Sequence, residues 1–92
     1  MSDQSWTKFI QDVSHRLVRS QPRSYYEHKV HEWQSAPIDL KDYPGIKDKQ
    51  QIMDRLNRTR PNILQGRNIP GGIHANIAEN KVIITTGFEY EN

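Results

Sequence analysis

The chain has 92 residues, enough for one small domain and too few for two. Hydrophobic residues make up 34% and charged residues 26%, and the net charge is only +2, so self-repulsion does not force the chain open and a single folded domain with a thin core is expected. No apolar run reaches the roughly 18 residues of a membrane span, Met1-Ser2-Asp3-Gln4 shows no secretory pattern, and the absence of cysteine excludes disulfides, Cys-ligated zinc and Cys nucleophiles and suits a cytoplasmic protein.

Trp6, Phe9, Ile10, Val13 and Leu17 recur at three- and four-residue steps. That spacing predicts an amphipathic helix from about Ser5 to Arg19, capped by Ser2 or Asp3 and stopped before Pro22. Tyr26, Val30 and Trp33 stand at i, i+4 and i+7 and predict a second helix over Arg23 to Gln34, with Tyr26 and Trp33 in the core. Ile38 and Leu40 alternate with polar residues and allow a short strand reaching towards Tyr43. After the Pro44-Gly45 turn, Asp48 with Gln51 three residues on has capping-box spacing. Ile52, Met53 and Leu56 give the helix that follows its apolar face, and Pro61 limits it to about Arg58–Arg60. Asn62 to Gly72 reads mainly as loop.

Ile73, Ala75 and Ile77, then Val82, Ile84, Thr86, Phe88 and Tyr90, alternate with other residues around Ala78-Glu79-Asn80-Lys81. This is a β-hairpin, with Asn80 suited to a positive φ. A lone hairpin is marginal in water, so it needs a third strand, the helices or a partner, and each arrangement leaves a possible edge open to strand addition. The expected fold class is α+β: two to three helices packed on a small antiparallel sheet with a C-terminal hairpin.

Between Asp54 and Glu79 there is no carboxylate, and Arg55, Arg58, Arg60 and Arg67 lie in that window with His74. Guanidinium groups grip phosphates with two parallel bonds, and nucleic acid rewards such a cluster by counterion release. The plainer reading is a solvated helix end with basic residues placed favourably in its last turn. A second basic group comprises Lys8, Arg16 and Arg19 on one helix face with Asp12, followed by Arg23. Its plain reading is i,i+4 pairing through Asp12. Tyr25, offset from the apolar face and near Arg23, is a candidate to stack on a base or anchor a protein interface.

His28 and His31, flanked by Glu27 and Glu32, supply two ligands at most, so no metal site and no cofactor are expected. A metal-independent ribonuclease would draw on His74 as base, Arg67 as phosphate clamp and Thr85 or Tyr90 near the cleaved bond. A winged helix-turn-helix would use the Pro61–Asn68 segment for recognition, but that segment is short and limited by glycine. No nucleophile-elbow, P-loop or dinucleotide motif is present.

Short length, a thin core, no cysteine, and arginine-rich stretches mixed with aromatics such as Tyr25 together resemble the small single-domain proteins by which phages inhibit host defence, the anti-CRISPR proteins. That resemblance implies a non-enzymatic inhibitor in the host cytoplasm that docks on a CRISPR effector. Arg55, Arg58, Arg60 and Arg67 would then contact guide RNA or occupy a DNA path. Two other readings stand beside it: a DNA- or RNA-binding regulator and the ribonuclease. The net charge of +2 favours a composite protein and nucleic-acid partner over free nucleic acid, because a protein-docked inhibitor needs only a local basic patch.

Overall fold

A computed structural model describes residues 3–67 and 69–91. Helix α1 spans Asp3–Arg16. Strands β1 (Leu17–Arg19), β2 (Arg23–Tyr25) and β3 (His28–Ser35) follow, then β4 (Ile38–Asp39) and a 3-10 turn at Leu40–Asp42. Helices α2 (Lys49–Arg58) and α3 (Arg60–Leu64) lead to the terminal hairpin of β5 (His74–Ala78) and β6 (Lys81–Tyr90). The class is α+β, with three helices packed with a six-stranded antiparallel sheet.

The six strands form four rows. β1 and β2 both pair with β3, at Trp33–Ser35 and His28–Val30 respectively, so together they make one interrupted edge row. The interruption is a bulge at Ser20, whose N–H donates to the Glu32 carbonyl at 2.7 Å while its Oγ accepts from the Glu32 N–H at 2.8 Å. β3 and β4 lie in file along one side of β6, and β5 lies along the other. Thr85 opposes Gln34 and Phe88 opposes Glu32, so three steps along β6 match two along β3. This extra residue reverses the facing of β6. Val82, Ile84 and Thr86 point into the core, whereas Phe88 and Tyr90 point to the opposite face. The alternation expected to run unbroken from Val82 to Tyr90 is corrected accordingly.

The core lies between the helices and one face of the sheet. Trp6, Phe9 and Val13 from α1 meet Ile52 and Leu56 from α2, Ile63 from α3, and Ile38, Ala75, Val82 and Ile84 from the sheet. Asp48 caps α2, accepting from the Gln50 and Gln51 N–H groups. Asn57 ties α2 to the start of β5 by accepting from the Ile73 N–H at 2.9 Å and donating to its carbonyl at 3.1 Å. The hairpin turn places both Glu79 (φ 52) and Asn80 (φ 62) in the left-handed region, the geometry of a type I′ turn.

Two expected helices change. α1 ends at Arg16 rather than Arg19, because Leu17–Arg19 gains a sheet ladder with Trp33–Ser35 while keeping Leu17 buried. The helix expected over Arg23 to Gln34 is instead the β2–β3 hairpin. There, tertiary pairing with β6 and the β propensity of Tyr25, Val30 and Trp33 outweigh a helical spacing. The expected strand to Tyr43 is only β4, and part of the expected loop is α3, with Pro61 tolerated in its first turn. The cap expected at Ser2 lies outside the described residues, as does the Asp3 side chain.

Candidate nucleic-acid interface

The four arginines of the carboxylate-free stretch occupy different settings. Arg55, on α2, places its guanidinium 4.9 Å from the Trp6 ring centre. Arg67 lies 4.1 Å over the Trp33 ring and donates from Nη1 to the Leu64 carbonyl at 3.1 Å. Arg58 is exposed in the last turn of α2. Arg60 opens α3, is partly buried, and holds its Nε–H away from solvent with no hydrogen-bond partner. Among the described residues none of the four forms an ion pair with a carboxylate.

The second basic group behaves differently. Arg19 and Arg23 sit on the edge row and are both paired: Arg19 Nε to Glu89 at 2.8 Å, and Arg23 to Glu32 at 2.6 Å. Their cross-strand partners, Trp33 and Val30, are an odd number of residues apart on β3, so the two guanidiniums leave opposite faces. Arg19 belongs to β1 and not to the helix face expected for it. The Glu89 oxygen that holds Arg19 also accepts from Trp33 Nε1 at 3.2 Å. Because Arg67 lies over that same ring, Arg19 and Arg67 meet around Trp33, which links the two basic groups.

Asp12 does not make the expected pairs with Lys8 and Arg16. It accepts instead from the Tyr43 hydroxyl, and Lys8 lies 5.3 Å over the Tyr43 ring. Burial, then the hydrogen bond and charge of Asp12, push the Tyr43 phenol up to about 12, against a smaller lowering by exposed Arg16 and a further raising by Asp42. Below the ordinary phenol value of 10.0 the group is protonated in both folded and unfolded chains. Between there and about 12 only the folded chain keeps its proton, so raising the pH through this window favours unfolding. Thermal melts from pH 9 to 12 are expected to show a loss of stability that Tyr43→Phe reduces.

The open face of the sheet carries a feature that the sequence reading only half found. Arg23, Val30 and Tyr90 stand opposite one another across three rows, as do Tyr25 with His28 and Glu32 with Phe88. Tyr25 lies 5.1 Å from Phe88, His28 lies 5.6 Å from Tyr90, and Arg23 lies 5.2 Å over the Phe88 ring. Together they bury Val30 completely, although it lies on the face away from the helices. At the hairpin tip, Tyr26 has φ 55 and is 87% exposed, which corrects its expected place in the core. Trp33 is half-buried and packs against the core from the other face. Arg23 and Tyr25 are thus brought together as proposed, with Tyr26, His28, Phe88 and Tyr90 added. Of these, Phe88 and Tyr90 were visible in the sequence as strand aromatics assigned to the wrong face.

The remaining constellations separate. His28 and His31 are three apart on a strand and so face opposite ways. His31 is buried between the Ser20 carbonyl and the Glu91 carboxylate. No group of three metal-binding side chains occurs among the described residues. His74 opposes Thr85 in the hairpin, but Arg67 lies over Trp33 on the helix side of the sheet and Tyr90 stands at the far end of β6. Of the residues named for ribonuclease chemistry, His74 and Thr85 are therefore brought together, whereas Arg67 and Tyr90 stand apart from them. α3 has five residues, too few for a recognition helix, and Asn68 of that segment lies outside the described residues. Among the described residues no helix is long and apolar enough to cross a membrane. No protein-family model, curated protein or solved structure matches the chain.

Proposed function

We propose that the chain is a non-enzymatic inhibitor that binds a nucleoprotein, of the CRISPR-effector kind implied by its resemblance to anti-CRISPR proteins, and obstructs its nucleic-acid path. One contrast carries this reading. Arg19 and Arg23 are neutralised by Glu89 and Glu32, whereas Arg55, Arg58, Arg60 and Arg67 have no carboxylate partner among the described residues. Phosphates are the natural counterions for the second set. The aromatic face suits the protein part of the same partner. Its rings and its internally paired arginine have the make-up of an interface hot spot, and they offer no net charge to a polyanion.

The test titrates the protein against purified CRISPR effector complexes and measures their binding to target DNA. Loss of target binding is expected, and Arg58→Glu should weaken inhibition roughly tenfold and flatten its salt dependence. Unchanged target binding by every effector, with the protein in excess, refutes the proposal. A second reading, direct binding of free single strands, draws on the exposed Tyr26 ring. It predicts a gel shift that weakens steeply with salt and is lost in Tyr26→Ala.

A further inference from the structure

We infer that the cavity between α1 and the start of α3 receives an unpaired nucleobase, whose edge is read by the exposed carboxamides of Gln11 and Asn62. The inference rests on the proposed nucleoprotein contact and names the chemical group that this side of the protein recognises.

The cavity follows from the pattern of α1. Trp6, Phe9 and Val13 form the buried stripe of that helix. Thr7, Ile10, Gln11 and Ser14 stand at steps of three and four residues and form a second stripe beside it. Ser14 ties this second stripe to the end of α3. Its hydroxyl donates to the Ile63 carbonyl at 3.3 Å and accepts from Gln65 Nε2 at 2.9 Å. Around that bridge the stripe, together with His15, Thr59 and Asn62, lines a cavity of about 390 Å³. The volume falls in the range of small-ligand sites, about 300–1,000 Å³.

The lining selects the kind of ligand. Among the described residues no carboxylate, lysine or arginine lines the cavity, so an ion would find no counter-charge there. A neutral group rich in both donors and acceptors is matched instead. Gln11, His15 and Asn62 are exposed, so the cavity opens to solvent, and none of the three spends its side chain on a hydrogen bond or ion pair with the described residues. A carboxamide presents one donor and one acceptor side by side, the pattern that complements the N6 amino group and N7 of adenine. The His15 imidazole is a flat ring of the kind on which unstacked bases rest. Ile10 adds apolar contact. Thr59 gives its hydroxyl proton to the Arg55 carbonyl at 3.0 Å and keeps lone pairs to accept. Thr59 also directly follows the exposed Arg58, which leaves a cation beside the cavity for the adjoining phosphate.

The experiment follows the side-chain amide signals of Gln11 and Asn62 by NMR in the full-length, nitrogen-15-labelled protein. Single-stranded pentaadenylate, pentauridylate and an abasic pentamer of the same charge are titrated separately. Pentaadenylate is expected to shift both signals and saturate, with an affinity about tenfold above that of pentauridylate. The abasic pentamer is expected to leave both signals in place. Gln11→Ala and Asn62→Ala change exposed positions, and each is expected to lower the affinity for pentaadenylate about tenfold.

Signals unmoved by every pentamer overturn the inference. An equal response to the abasic pentamer does the same, since it would report a phosphate contact only. Equal affinity for the two base-bearing pentamers overturns the reading of the edge by the carboxamides. Affinity lost in Tyr26→Ala but kept in both carboxamide variants would put the base on the open face of the sheet and overturn the inference too. Saturable base binding here without inhibition of any effector leaves the cavity site standing and removes the inhibitor reading. Inhibition of an effector with the two amide signals silent removes this inference alone.

Discussion

Gly87→Ala is expected to destabilise the protein by about 3 kcal/mol or more, at the upper end of overpacking effects. A Cβ at Gly87 would stand 1.9 Å from the Pro70 carbonyl oxygen and 3.4 Å from the Gly71 Cα. The obstacle is backbone, so no side-chain rotamer relieves it. Either the 69–72 loop lifts off β6 or β6 yields, and β6 is bonded to β3 on one side and β5 on the other. Urea unfolding should show a large fall in midpoint. Gly66→Ala is the informative comparison. Nothing stands within 4 Å of the Cβ it would add, so only its φ of +80 opposes the change. Similar losses for the two variants would show that the contact at Pro70 does not matter.

Phe9→Ala should cost about 3–5 kcal/mol, the range for emptying a buried aromatic site. Phe9 is fully buried and makes edge-to-face contacts with Trp6 at 5.9 Å and Tyr43 at 5.2 Å. Through those two rings it joins α1 to the segment after β4. A domain of this size has a total stability of only about 5–15 kcal/mol, so the variant should be close to unfolded at physiological temperature. Phe9→Leu, which keeps most of the volume, should lose much less. Equal melting temperatures for Phe9→Ala and the wild type would contradict the packing described.

α1, α2 and the terminal hairpin were more legible than the β2–β3 hairpin, for identifiable reasons. α1 and α2 each show one clean apolar stripe because each packs one side against a single core. The terminal hairpin shows period-two alternation and a turn residue that tolerates positive φ. β3 escaped because its burial does not alternate: Val30 is covered on one face by Arg23 and aromatic rings, while the adjacent His31 is buried on the other. The only regular spacing left, Tyr26–Val30–Trp33, imitates a helix. The aromatic enrichment of the same stretch was the signal that pointed to a strand.

The site was legible to a different degree. Charge alone located the stretch from Arg55 to Arg67 and identified its lack of acids. It gave no sign that Trp6 and Trp33 would take up two of the guanidiniums, because those contacts join residues far apart in sequence. Tyr25 beside Arg23 was found from the residues. Phe88 and Tyr90 were placed on the wrong face because the additional residue in β6 leaves no mark in the sequence that distinguishes it from continuous alternation.

β6, an inner row of the sheet, is the last of the described strands in chain order. β3 finds its inner neighbour only at residues 85–90, so during synthesis its one side faces water until β6 has emerged. The earlier segments can form α1, α2 and the β2–β3 hairpin, but none of these encloses a core without Val82 and Ile84. Closure of this core therefore waits on the synthesis of β6, and a chain cut before residue 81 should yield material for proteases rather than a weakened fold.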